Sequence, residues 1–486
     1  MFFAFALPLA VGILLTAFAR GGRSALRGGW FVAILLFPVW LTFQAGSLLI
    51  DLRAIAAACG LLGLVVGRMD EGESRSMPRF RLLPADILVV VLVLIQAYSQ
   101  LRIDRFGPLT GPEIARKWMA PYVVGRLFLG SLRDLDRVFP LACKLFMALS
   151  VLALVEAVAK VNLLNRALGK TYGLLEQGEG YRWGLKRAQG PLDHPIFFGM
   201  MLVLLLPWAI EASNRAWKRQ APRWWLLLAP AMGGAILVTV SRGAQIAAAI
   251  TLFVTVFFQN PRWRIAIVLL AIFGGIGAVA GKELLGDALS KWAGENHEET
   301  RLIIINDEEV EYTGTNHRIL LFKAYEKAIA ETGLFGYGYE LSGIELEESI
   351  AQRFGSIDDH YILFLLQHGY AALAAFLILA CLSIFDLGVI AWDVEHPAAC
   401  FAGALCGAMI AVTISLLSVW FAPDFGMIWL FCAGLASNLR TLPVQAGSSA
   451  PLKAAKKPSE LSQPRPRLVT AHAPTRPTSR FPEPGS

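Results

Sequence analysis

AACFAGALCGAMIAVTISLLSV, residues 398–419, contains no charged side chain. A run of that length reads as a membrane-crossing helix, because the hydrocarbon core of a bilayer takes roughly 20 apolar residues to span. Working outward, comparable segments lie near 1–19, 30–50, 82–99, 139–159, 196–212, 224–240, 243–258, 265–281, 370–392 and 421–438. Shorter or more polar ones lie near 54–67 and 118–132. The chain is 56% hydrophobic and 17% charged, whereas ordinary soluble domains carry about 25% charged residues. The expected fold is an all-α polytopic membrane protein of about 12–13 transmembrane helices.

The net charge of +7 is not a nucleic-acid footprint, because of where it sits. Basic residues crowd short connections at Arg20/Arg23/Arg27, Arg68/Arg75/Arg79/Arg81, Arg215/Lys218/Arg219/Arg223 and Arg262/Arg264, and more follow Arg440. The positive-inside rule places such connections in the cytoplasm, and about thirteen crossings put all of them there with the N-terminus outside. The first apolar segment has its arginines behind it rather than in front, so it is expected to be a retained helix and not a secretory signal. Cys59, Cys143, Cys381, Cys400, Cys406 and Cys432 all fall in hydrophobic segments, which implies neither a disulfide framework nor a metal cluster.

Residues 1–442 read as the membrane domain and 443–486 as a disordered, basic, Pro-rich cytoplasmic tail. Inside the membrane domain, 282–358 is a large acidic loop on the outer side. Thr315-Asn316 is placed to cap a helix with Ile319, Leu320, Phe322, Tyr325 and Ile329 on its apolar face, Gly333 to end it, and a second helix is expected at 343–354. The loop is thus expected to be a small helical cap.

Three polar clusters interrupt the apolar pattern on the outer side: GPLDHP (190–195), SRG (241–243) and DDHY (358–361). Each precedes a helix running inward, so three helix N-termini converge on one face. Such termini carry partial positive charge and unpaired N–H groups, which suit phosphate. Arg242 adds a fork of donors matched to phosphate oxygens, and Arg318 repeats the arrangement at the start of the cap helix. Each feature also has a plain structural reading. Arg242 at a membrane boundary can simply reach to the interface, His194 beside Pro195 can be a helix cap, and Asp358 and Asp359 can be N-caps. Charges inside apolar segments are costly. Arg126 and Glu156 are the two of interest here, either pairing with one another or, for Arg126, lining a substrate path.

The ordered set PYVVGR (121–126), RAQGPLDHPIFFG (187–199), TVSRGA (239–244), NHRILLFKA (316–324), GLFGYGYE (333–340) and DDHYILFLLQHGY (358–370) resembles the O-antigen ligase and polysaccharide polymerase superfamily, over about residues 115–438. The DDHY form is closer to exopolysaccharide polymerase-like members than to ligases, in which a His-Asn pair precedes the glycine. The resemblance implies a membrane glycosyltransferase of the multi-helix, lipid-donor type at the periplasmic face of the bacterial inner membrane. It would move a glycan from undecaprenyl diphosphate to a hydroxyl of a saccharide or lipid-core acceptor, without a metal or other cofactor, among membrane lipids and other polysaccharide-assembly proteins. On this reading Arg242 and Arg318 clamp the diphosphate, Arg187, His194 and Arg126 line the donor path, and His360 or Asp358 is the base, with His360 favoured because an unperturbed imidazole titrates near neutrality. The competing function class is a transporter or flippase of lipid-linked sugars, which would need a polar path across the membrane and usually an internal repeat.

Overall fold

A computed structural model describes residues 1–46, 48–67, 81–169, 181–182, 184–280, 301–305, 308–312, 317–341, 344 and 354–443. Residues Met1–Val444 form one compact unit. The second, Gln445–Ser486, carries the expected tail and lies outside the described residues.

The fold is a helical bundle. Among the described residues six helices are long and apolar enough to cross a membrane: Phe2–Arg20, Pro84–Arg102, Arg133–Ala159, Pro195–Trp217, Arg242–Gln259 and His360–Trp392. Leu52–Val66, Arg223–Val238 and Ala399–Ser415 are apolar but shorter. Length accounts for part of the gap between these six and the dozen apolar runs of the sequence, and lower hydropathy for Pro423–Thr441, which has 19 residues. A helix of 15 residues such as Leu52–Val66 rises about 22 Å, less than the roughly 30 Å hydrocarbon core.

Pro195–Trp217 is the centre of the bundle. Met200–Leu205 is wholly buried, and Trp208 packs edge-on to Phe31 and Phe401 at ring separations of 5.3 and 4.7 Å. Phe2–Arg20 lies at the margin, with Phe3, Leu7, Val11 and Leu15 exposed. That i, i+4 spacing makes one outward apolar stripe, as a lipid-facing helix requires.

Two expectations need correction. The segment at 30–50 is not one spanning helix. A helix runs from Gly22 to Leu36, Phe37 turns extended ahead of Pro38, and a hairpin pairs Thr42–Ala45 with Leu48–Asp51. Proline disfavours helical geometry in the residue before it and donates no hydrogen bond. Arg23 and Arg27 therefore sit within a helix and not in a loop, and Arg27 is buried against Asp134 at 2.8 Å. The cap, in turn, is not wholly helical: Arg301–Ile305 and Glu308–Tyr312 form an antiparallel hairpin, where the isoleucine run favours strand. Helices His317–Ala324 and Glu326–Glu331 follow, and Gly333 is left-handed. Thr315-Asn316 lies outside the described residues, as does the helix expected at 343–354 except for Ile344 and Phe354.

The longest helix, His360–Trp392, is broken at Gly369 (φ 79°, ψ 180°). The break strands carbonyls of the preceding turn and amides of the following one. Residues 333–338 take up both sets. Tyr337 and Gly338 N–H donate to Leu366 and Gln367 O at 2.7 and 2.9 Å, while Tyr370 and Ala371 N–H donate to Gly333 and Leu334 O, both at 3.2 Å. Irregular backbone in a membrane protein persists where protein satisfies it in this way. A Cβ at Gly369 would lie 2.2 Å from the Leu334 carbonyl carbon, so only glycine admits the loop. After the break, 370–392 still provides enough residues to span.

Candidate functional site

The connections expected on one side of the membrane bond to one another. Val39 N–H donates to Pro191 O at 3.2 Å, Ala188 N–H to Val238 O at 3.0 Å and His360 N–H to Leu416 O at 2.9 Å. Trp40 Nε1 donates to Asn165 Oδ1 at 2.8 Å, and Arg53 to Asp424 O at 3.1 Å. The starts of Pro195–Trp217, Arg242–Gln259 and His360–Trp392 therefore share one face.

The first of these starts is set from below by Glu156. This residue, 1% exposed near the end of Arg133–Ala159, accepts from Gln189 N–H at 3.2 Å and Gly190 N–H at 3.0 Å. Asn162 Nδ2 donates to Gly190 O at 3.0 Å. The turn delivers Arg187, 5% exposed, whose Nε donates to Thr239 O at 3.3 Å. At its far end His194 caps the helix, Nδ1 accepting from Ile196 N–H at 3.2 Å.

The second start carries Arg242. Between Leu228–Val238 and Arg242–Gln259 the chain turns through Val240 at φ 47°. A β-branched side chain with left-handed backbone is a genuine outlier that costs of order 1–3 kcal/mol, and such strain gathers at functional sites. Gly199 lets this turn approach the first: a Cβ there would sit 2.5 Å from that of Ala244 and 3.2 Å from Thr239 Oγ1. Arg242 itself is half-buried.

At the third start Asp359 is the cap, accepting from Tyr361 and Ile362 N–H at 2.8 and 3.0 Å. Asp358 is exposed, with Ser356 Oγ 3.4 Å from its carboxylate. His360 is 4% exposed and enclosed by rings: Phe421 stacks on it at 5.1 Å, and Phe364 and Phe376 stand at 5.1 and 5.3 Å.

Sequence reasoning missed the connection that joins these turns. Rings run from His194 to Phe197 (5.3 Å), Phe425 (5.7 Å), Phe421 (5.7 Å) and His360 (5.1 Å). Phe421 and Phe425 belong to WFAPDF (420–425), which reads in sequence only as the start of one more helix. The available signal was aromatic density in a connection between two charge-poor segments.

Arg126 is elsewhere. Its Nε pairs with Asp86 at 3.2 Å, Nη1 donates to Thr441 and Nη2 to Arg81 O. Thr441 ends the helix that begins at Pro423, beside Phe421, and eighteen residues of helix separate the two ends by about 27 Å. Arg126 and Glu156 do not pair; each is held by other groups. Arg318 lies on the His317–Ala324 helix, and its side chain lies outside the described residues. Among the described residues no group of three or more His, Cys, Asp or Glu is arranged to hold a metal ion.

No curated protein matches the chain. Residues 227–377, however, match the family model for O-antigen ligase. The matched stretch opens on the helix leading into Val240 and closes past the break at Gly369, so it contains the second and third starts but neither Arg187 nor His194. The chain is a multi-pass membrane protein that carries, over residues 227–377, a match to the O-antigen ligase family.

Proposed function

We propose that the protein transfers a saccharide chain from undecaprenyl diphosphate to an acceptor hydroxyl at the periplasmic face of the bacterial inner membrane, as a polymerase or a ligase in surface-polysaccharide assembly. The observation that carries this reading is the junction of Arg187, the strained turn before Arg242 and the Asp358–His360 entry on one face of the bundle. The acceptor oxygen attacks the anomeric carbon, the bond from that carbon to the diphosphate oxygen breaks, and the lipid diphosphate departs with the electron pair. Arg242 and Arg318 oppose the charge that builds on the leaving group, which is electrostatic catalysis, and Arg187 and His194 border the donor. The acceptor proton passes to Asp358 or His360. Exposure favours Asp358, because His360 is walled in by three phenylalanines. Arg126, about 27 Å away, supports the bundle and has no part in this site.

Reconstitution with a defined undecaprenyl-diphosphate oligosaccharide tests the reading. Wild type should lengthen or transfer the glycan in the presence of chelator, and Arg242→Ala and Arg318→Ala should abolish product without loss of folded protein. Normal products from both variants would refute it. Growth of the chain identifies a polymerase, and transfer to a lipid core identifies a ligase.

A further inference from the structure

Away from the three helix starts, unpartnered polar atoms gather at a second place. Gln96 and Gln100, one turn apart on Pro84–Arg102, are 0% and 4% exposed, and His368, just before the break, is 1% exposed. Gln96 Nε2, Gln100 Nε2 and His368 Nδ1 are all buried without a hydrogen-bond partner. They converge on Gly338-Tyr339. Tyr339 Oη donates to Gln96 Oε1 at 2.9 Å, its ring meets that of His368 edge-on at 4.8 Å, and a Cβ at Gly338 would lie 3.5 Å from Gln100 Nε2. A half-satisfied polar group of this kind is less stable than an apolar core of the same shape, which points to a ligand.

The chemistry of the group is neutral. The neighbouring cations are engaged: Arg102 donates to Gly336 O and Arg105 pairs with Glu340 at 3.2 Å. Two amides and an imidazole beside the rings of Tyr339 and Phe364 offer hydrogen bonds to hydroxyls and flat faces to C–H groups, and carry no charge to hold an anion. Beyond Gly338 the cover is tied by Gln367 Nε2, which donates to Tyr339 O at 3.2 Å, and by one surface ion pair. The Arg105–Glu340 pair is about 60% exposed on both sides, which makes it worth little, and Leu341 is left-handed at φ 51°.

We propose that Gln96, Gln100 and His368 form a subsite for the hydroxyl groups of a saccharide, entered when the Tyr339 segment withdraws and its hydroxyl gives way to one from the sugar. The inference rests on the proposed glycan transfer and adds to it where the acceptor binds. His368 and His360 both pack on Phe364, at 5.0 and 5.1 Å, two turns apart on one helix, so a glycan held here lies along the segment that leads to Asp358.

The test is the rate of transfer against concentration of a free oligosaccharide acceptor, for wild type, Gln100→Leu and the double variant Gln96→Leu/Tyr339→Phe, which strands no hydroxyl. The expected result is an acceptor KM raised roughly fivefold to tenfold per amide, as for one lost hydrogen bond, with thermal stability unchanged or higher. Unchanged KM with higher stability would overturn the subsite and leave only a packing defect. If wild type transfers nothing, the proposed function itself has failed. Direct binding of the radiolabelled oligosaccharide then decides the subsite, and equal binding by wild type and variants overturns it.

Discussion

Glu156→Ala removes the one acceptor shared by Gln189 and Gly190 N–H. Leaving a buried donor unsatisfied costs about 1–3 kcal/mol, so two donors give about 2–6 kcal/mol. The same change relieves the burial of a carboxylate, a penalty of several kcal/mol. These effects fall in different places. Relief of desolvation acts on the whole fold and limits the loss of global stability to about 1–2 kcal/mol. Loss of the anchor acts on the turn that carries Arg187 and His194, and we expect it to lose about 3 kcal/mol of order. At 1.4 kcal/mol per decade, that is a fall of roughly two orders of magnitude in kcat/KM for donor. Glu156→Gln keeps an oxygen for one N–H and turns an amide group toward the other, so roughly a tenfold fall is expected. The assay is transfer by reconstituted protein at matched folded amounts, with thermal unfolding measured on the same samples. Wild-type kcat/KM in Glu156→Ala would refute the reasoning. So would a Gln variant as impaired as the Ala variant, because the effect would then follow the charge and not the hydrogen bonds.

Two further outcomes follow from groups away from this turn. Arg126→Met strands Asp86, which is 8% exposed, and should destabilise the protein by about 3–5 kcal/mol, with much of the loss recovered in Arg126→Met/Asp86→Leu. Transfer per folded molecule should not change in either; a selective loss of activity in the double variant would return Arg126 to the site. In acid, Glu113 is informative. Burial alone would push its carboxyl up, but hydrogen bonds and charge from Arg116 and Lys117 outweigh that and hold it below the ordinary carboxylate range. A depressed carboxylate contributes stability above its unfolded value, about 4.3, and loses it as pH falls through the folded value. Unfolding scans should therefore show an acid-side loss of stability below about pH 4.3, and Glu113→Gln should flatten it. An unaltered pH profile in that variant would contradict the assignment.

Much of the architecture is written in composition. Apolar runs bounded by basic connections require helices in a bilayer, because backbone polar groups have no other partner there. The helix starts at Pro195, Arg242 and His360 were legible for the same reason, since each follows a polar cluster that interrupts such a run. A cap beside Pro195 was legible from local chemistry as Asp193 or His194, and the structure gives it to His194. Boundaries were less so: the hairpin after Pro38 reads as apolar, and length rather than hydrophobicity separates it from a helix.

Partnership was not legible. Arg126 and Glu156 are two charges in apolar segments, and nothing local says whether they meet. Only packing shows Asp86 against one and the Gln189–Gly190 amides against the other. The glycine-rich 333–338 motif reads locally as a helix end and a turn, and only the fold shows that it satisfies the break at Gly369, a pairing between residues some thirty positions apart. By itself the sequence determined that this is a bundle of membrane helices with polar starts on one face, because periodicity, length and charge placement are local quantities. Which charge faces which, and which rings carry His194 toward His360, was decided by the tertiary structure, because burial and hydrogen bonding depend on what arrives from elsewhere in the chain.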